Sequence, residues 1–233
     1  MHALSRARNA VGVSGLALVL TVAVAPVEPA RAGAVLWVID EPGAYVLPEI
    51  ELYQVEIVAS DVTLDCQYSQ EIVGNGVPAV HVIGATDVTI EHCQLSAGTS
   101  FGSKGLVIEN SSVVTVHDCE FVVAEARVVD SSQVTFYSNR FNTPRPDGMV
   151  FLRSRDSDFF GNIVTFSRGD GLRIWESERI TAVGNAFTRN DEAVRLYRSV
   201  SSSVIYNHLY GDQRVLDIEG TNNLTAPNDM LPP

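Results

Sequence analysis

The feature that most constrains this chain is a column that recurs through it: Cys66, Cys93, Cys119, Asn139, Asn162, Asn185 and Asn207, separated by 27, 26, 20, 23, 23 and 22 residues. Two residues after each member stands a large apolar residue: Tyr68, Leu95, Phe121, Phe141, Val164, Phe187 and Leu209. Short Thr-containing apolar segments, such as Val88-Thr89-Ile90, Val114-Thr115-Val116 and Val134-Thr135-Phe136, precede most of them. A period of about two dozen residues marks a repeat architecture, in which each unit buries its apolar face only against its neighbours.

With this column as zero, two further columns are wholly apolar. Val82, Ile108, Val128, Phe151, Ile174 and Leu196 stand eleven residues before it; Val80, Leu106, Ala126, Met149, Leu172 and Val194 stand thirteen before. Their spacing of two is the strand period, so both are expected to face inward. The residue between them faces outward: His81, Val107, Arg127, Val150, Arg173 and Arg195. A second strand carries Ile90, Val116, Phe136, Phe159, Ala182 and Val204 inward, with an outward row rich in Thr and Ser. A third, shorter strand carries the apolar column described first. Helical periodicity is nowhere sustained. The expected fold is all-β: a single-stranded parallel β-helix of about seven coils with three short strands per coil. The repeats occupy residues 61–220, behind N-terminal capping strands at 33–60 and ahead of a polar C-terminal tail at 221–233.

At the corner marked by the column, Asn is expected to adopt the left-handed conformation of a sharp turn and to hydrogen-bond from coil to coil as an asparagine ladder. Cys can take the buried position without making amide bonds. Parallel strands about 4.8 Å apart are compatible with disulfide geometry, so Cys66–Cys93 or Cys93–Cys119 can be bridged. A stack of free, buried thiols is the preferred expectation.

Residues 1–32 read as a signal peptide: Arg6 and Arg8, the apolar run from Val11 to Ala25, then Ala30-Arg31-Ala32 as a cleavage motif. Removing three Arg and one Glu takes the formal charge from −12 to −14. Such an acidic chain, with Lys104 as its one lysine, lacks a nucleic-acid footprint. No later stretch is apolar enough to span a membrane. A secreted or periplasmic protein is expected.

Copies such as Gly171-Leu172-Arg173-Ile174 through Asn185-Ala186-Phe187, and the opening Asp40-Glu41-Pro42-Gly43-Ala44-Tyr45-Val46-Leu47, resemble the right-handed parallel β-helix superfamily. That is the pectin- and pectate-lyase-like fold with its PbH1 repeats, which includes the NosD-like periplasmic proteins. The resemblance covers residues 35–220. It implies a right-handed helix, and it implies that any active site lies on the outer face of the first strand. Lyases, hydrolases, uronate epimerases and non-catalytic proteins share this fold.

The outward residues of the last coils are the richest in chemistry. Arg173, Trp175, Arg195 and Tyr197 suit carbohydrate binding, since rings cover sugar C–H faces while guanidinium groups fix hydroxyls or a uronate. Arg173, Arg195, Asp170, Asp217 and Glu219 are the catalytic candidates, because elimination or hydrolysis needs a base or paired carboxylates beside a cation. Asp147, Asp170 and Glu192 stack fifteen residues before the column and could hold Ca²⁺, the one metal considered beside an expectation of no cofactor. A competing reading pairs these Arg and carboxylate groups across neighbouring coils. His81, His92, His117 and His208 fall at different offsets and read as scattered surface residues. Polygalacturonase and alginate-epimerase signatures are absent, and the connections between strands are short, where catalytic clefts favour long loops. The expected function is therefore non-catalytic binding of carbohydrate, or of a surface or periplasmic protein, on the last coils. The alternative is a small polysaccharide lyase, uronate epimerase or glycoside hydrolase on the same face. An open helix end offers a route to oligomerisation.

Overall fold

A computed structural model describes residues 36–47, 54–68, 71–74, 76–98, 104–143, 147–212, 214–225 and 228–231. The side chains of residues 215–217, 230 and 231 are excepted. The signal peptide expected at 1–32 lies outside the described residues, as does part of the tail.

The described chain is all strand and turn, wound as a parallel β-helix. Seven coils carry all three strands. Coil 1 comprises Gln54–Ile57, Val62–Asp65 and Glu71–Val73, and coil 2 Val80–Ile83, Thr86–Glu91 and Gln94–Ser96. Coil 3 is Lys104–Glu109, Ser112–His117 and Glu120–Val122; coil 4 is Glu125–Val129, Ser132–Tyr137 and Arg140–Asn142. Coil 5 is Met149–Leu152, Arg155–Phe160 and Ile163–Thr165, and coil 6 Asp170–Trp175, Glu178–Val183 and Ala186–Thr188. Coil 7 runs through Glu192–Val200, Ser203–Ile205 and His208–Tyr210, and Arg214–Thr221 and Asp229–Leu231 stack on it. Leu36–Ile39 and Gly43–Val46, expected as capping strands, pair in parallel with Gln54–Ile57 and Val62–Asp65 and so extend the winding.

Every inter-coil pairing is parallel and mostly in register, as Leu106↔Ala126↔Met149↔Leu172↔Val194 illustrates. Side-chain alternation then sends whole columns inward. Phe121, Phe136, Phe141, Phe151, Phe159 and Phe187 are fully buried, and Phe121 stacks on Phe141 with ring centroids 4.4 Å apart. Two expectations need correction. Tyr68 does not join the inward column but is 63% exposed. Gln67 and Tyr68 both take positive φ, which adds turn residues to coil 1 and hands the inward place to Ile72, the partner of Leu95. The outward Val150 is only 3% exposed, set between Arg127 and Arg173 in the register of the neighbouring coils.

The corner column differs from expectation in its backbone. Asn139, Asn162, Asn185 and Asn207 are buried, and the left-handed residue is the one before each: Ser138, Gly161, Gly184 and Tyr206, with φ of 56°, 62°, 65° and 55°. The Asn side chains are thereby aimed inward. Asn139 donates its backbone N–H and its Nδ2–H to Asn162 Oδ1, at 2.9 and 3.1 Å, and its Nδ2 also donates to Val116 O at 2.9 Å. The same pattern runs from Asn162 to Asn185, Asn207 and Asn228. It passes into the cysteine half, where Cys119 N–H donates to Asn139 Oδ1 at 3.0 Å and Cys93 N–H points at Cys119 Sγ at 3.4 Å. Ser111, Ser131, Ser154 and Ser177 satisfy a second corner similarly. Buried backbone donors at the turns are thus partnered by side chains from the next coil.

The preferred reading of three free thiols is overturned in part. Cys66 and Cys93 form a disulfide with Cα atoms 4.8 Å apart, while Cys119 is free and buried. Burial pushes the Cys119 thiol up to about 12, which makes it unreactive at neutral pH.

Candidate functional site

The outer face of the first strands is built on a column of charge at the strand starts. Lys104 pairs in register with Glu125, and Asp170 with Glu192 and then Arg214. Asp147 joins the same row by accepting the Asp170 backbone N–H on Oδ1 at 2.9 Å. Glu125, Asp147, Asp170 and Glu192 are buried, at 5, 3, 3 and 0% exposure. Such groups persist only when paired and hydrogen-bonded.

Outward residues two or three positions later supply the pairing. Arg127 Nη2 lies 2.7 Å from Glu125, whose other oxygen accepts from Lys104 Nζ at 2.8 Å. Arg173 bridges Asp147 Oδ2 at 3.0 Å and Asp170 Oδ2 at 2.5 Å. Arg195 reaches Glu192 at 3.4 Å and Asp170 at 4.0 Å. Cations and carboxylates therefore alternate in depth, with carboxylates below and guanidinium groups above. Burial holds the Asp147 carboxyl above its ordinary value, against the Asp170 amide and the Arg173 guanidinium that favour its charged form.

Above this layer lies a shallow groove of about 290 Å³ lined by Arg127, Val150, Leu152, Arg153, Arg173, Trp175 and Glu176. Its floor is apolar and its rim charged. Trp175 is 39% exposed and meets Tyr197 edge-to-face at 5.4 Å. The Arg198 guanidinium sits 5.0 Å from the centre of the Tyr197 ring. Tyr197 is thus held between two neighbours, while Trp175 borders the groove. The structure brings Arg173, Trp175, Arg195, Tyr197, Asp147, Asp170 and Glu192 together on three adjoining coils. Glu219 is exposed at the far end, and Asp217 pairs in backbone register with Arg195 while its side chain lies outside the described residues. Any Ca²⁺ at Asp147 and Asp170 would have to displace Arg173.

Glu125 was not legible from the column count, because the register shifts between Glu125 and Ala126 and puts it fourteen residues before Asn139; Lys104, at the expected fifteen before Cys119, and the outward Arg127 acquire their role only through it. Sequence reasoning also misjudged the histidines. His92 and His117 have ring centroids 6.0 Å apart, between Tyr68 and a stacked Tyr137. His92 Nδ1 lies 3.0 Å from Asp65 Oδ1, and His117 Nε2 lies 3.1 Å from Glu91 Oε2. The signal was available in the pairing of Asp65, Glu91 and His117 along one row, with His92 in the adjacent left-handed corner. His81 and His208 stand apart, near Glu109 and Asp229 respectively.

A family model described as periplasmic copper-binding protein (NosD) matches residues 47–228. That description does not fit the expectation of no cofactor. No curated protein sequence matches the chain. Among solved structures, the chain resembles DFA-IIIase from Arthrobacter chlorophenolicus A6 in complex with DFA-III, with a TM-score of 0.60 and 17% identity over 84% of this chain and 57% of that one. The same enzyme without its lid, in complex with GF2, gives 0.59 and 17% over 84% and 61%. The periplasmic alginate epimerase AlgG gives 0.52 and 12% over 76% and 50%. At such identities the likeness is one of fold alone, and the chain spans 50–61% of the length of these proteins.

Proposed function

The chain belongs to the NosD family, and from that premise we propose that it works in the periplasm as a rigid binding scaffold whose outer strand face, on coils 4 to 7, holds carbohydrate. The observation that carries this reading is the groove beside Trp175. An exposed indole next to an apolar floor of Val150 and Leu152, with Arg127, Arg153 and Arg173 around it, matches the mixed character of a sugar ring. Arg195 and Tyr197 extend the face by one coil.

The depth order of the charges favours binding over catalysis. Asp147, Asp170 and Glu192 are nearly inaccessible, so a ligand meets guanidinium groups first. Lyase, uronate epimerase or glycoside hydrolase activity on this face is the second reading. It is supported by likeness of fold to carbohydrate-acting proteins, and it would require Arg173 or Arg195 to move and expose Asp170. Copper binding, described for the family, is proposed for this chain too, at a place separate from the groove. Ile218, 43% exposed on the last described first strand, offers apolar surface for association with a partner.

A glycan array of neutral and uronate-containing oligosaccharides, followed by product analysis, tests the proposal. Binding that is lost in Trp175→Ala, without release of reducing ends or unsaturated uronate, is the expected outcome. Turnover would favour the enzymatic reading, and the lack of any glycan binding would overturn the carbohydrate reading.

A further inference from the structure

The cysteine half of the corner column differs from the asparagine half in what precedes it. Asp65, His92 and Asp118 stand directly before Cys66, Cys93 and Cys119, where the asparagine half has Ser138, Gly161 and Gly184. Beside them runs the row Asp65↔Glu91↔His117, on consecutive rungs of the second-strand sheet. These side chains are part-buried yet reachable: Asp65 28%, Glu91 23%, His92 34% and His117 14% exposed. Asp65, Glu91 and His92 each offer a ligand atom within 4.8 Å of the others.

His117 joins this cluster through Glu91, and two of the contacts have the spacing of neighbouring metal ligands. With metal–ligand bonds of about 2.0–2.1 Å, neighbouring ligand atoms lie about 2.9 Å apart in a square and about 3.3 Å apart in a tetrahedron. His92 Nδ1 to Asp65 Oδ1 is 3.0 Å, and His117 Nε2 to Glu91 Oε2 is 3.1 Å. The His117 ring is also oriented from behind. Its Nδ1 lies 2.9 Å from Asp118 Oδ2, and its face stacks on Tyr137 at 4.7 Å and 8°. A carboxylate behind one imidazole nitrogen is the usual means of aiming the other at a metal.

We infer that Asp65, Glu91, His92 and His117 form a site for one divalent transition-metal ion, Cu²⁺ foremost, with Asp118 as a positioning residue. The Cys66–Cys93 disulfide staples coils 1 and 2 directly beneath Asp65 and His92. The assignment deepens the copper reading above and is independent of the carbohydrate one. Two imidazoles exclude a Ca²⁺-type site, which takes oxygen ligands alone. Soft sulfur ligands, which select Cu⁺, are withheld among the described side chains: Cys66 and Cys93 are bridged, and Cys119 and Met149 are buried. For nitrogen and oxygen donors, Cu²⁺ outranks the other divalent first-row ions.

The test is titration of the tag-free mature protein with Cu²⁺, read by calorimetry and by low-temperature electron paramagnetic resonance. One strongly bound Cu²⁺ per chain, with the hyperfine pattern of two imidazole nitrogens, is expected. His92→Ala with His117→Ala should abolish it, and His208→Ala should leave it unchanged. Asp118→Asn should weaken affinity about 10–100-fold and alter the spectrum, and Cys66→Ala with Cys93→Ala should weaken it by a smaller factor. Circular dichroism of each variant separates loss of ligands from loss of fold. Undiminished Cu²⁺ binding by the folded double-histidine variant would overturn the site while the family-level copper reading stands. No binding by the wild-type chain would overturn both, and Zn²⁺ bound more tightly than Cu²⁺ would overturn the choice of metal.

Discussion

Replacing Asn162 by Ala removes one member of the buried amide column, and the cost can be worked from its contacts. Asn162 Oδ1 accepts the Asn139 backbone N–H at 2.9 Å and Nδ2–H at 3.1 Å, while Asn162 Nδ2 donates to Phe136 O at 3.0 Å and to Asn185 Oδ1 at 3.1 Å. In the variant, Asn185 Oδ1 keeps the Asn162 backbone N–H, and Asn139 Nδ2 keeps Val116 O. One buried backbone donor, Asn139 N–H, loses its partner outright, while Phe136 O keeps its place in the strand ladder beside Tyr137↔Phe160. At about 1–3 kcal/mol for the stranded donor, the loss is about 1–3 kcal/mol. The assay is urea unfolding at equilibrium, with Asn142→Ala, an exposed position on the third strand, expected within about 0.5 kcal/mol of wild type. A change in the urea slope would show that the coils have begun to unfold separately, as repeat arrays can. Unfolding of Asn162→Ala within about 0.5 kcal/mol of the wild-type protein at an unchanged slope would show that the amide column carries no such share of stability.

Three other outcomes follow from the same geometry. Cys66→Ala with Cys93→Ala opens a 27-residue loop and should cost about 3.5 kcal/mol in the chain-entropy treatment, read as a lower denaturation midpoint; Cys119 should react with a thiol reagent only on unfolding. Asp212→Asn should raise the melting temperature near neutral pH. Burial raises the Asp212 pKa while the Asn190 amides already donate to its Oδ1. Its stabilising contribution is therefore full below the ordinary carboxylate range and lost as pH rises through the raised value, so the advantage of Asn should vanish below about pH 4; an equal melting temperature at pH 7 would contradict it. Gly148→Ala would place a Cβ 2.6 Å from Gly171 O and should cost about 1–3 kcal/mol, with weaker glycan binding as the Asp147–Arg173–Asp170 bridge shifts.

Much of the fold could be read along the chain because a parallel β-helix makes neighbours of residues one repeat apart. Inward columns such as Leu106, Ala126, Met149, Leu172 and Val194 needed only a period of two within strands and about 23 between them. The outward arginine and aromatic positions followed from the same count. Where the count breaks, the reading broke with it: Tyr68 slipped out through two left-handed residues, and Glu125 was displaced by a register shift.

Periodicity alone sets the stacking of coils, the inward columns and the face on which Arg173 and Trp175 stand, so these were legible along the chain. Tertiary structure decided three things. It chose Cys66–Cys93 over Cys93–Cys119, since adjacent coils allow either and only the direction of the sulfurs selects one. It set the guanidinium groups above the carboxylates, an order fixed by side-chain reach and burial. It also drew His92 and His117 together from different offsets, because a left-handed corner turns one side chain toward a row its offset does not share.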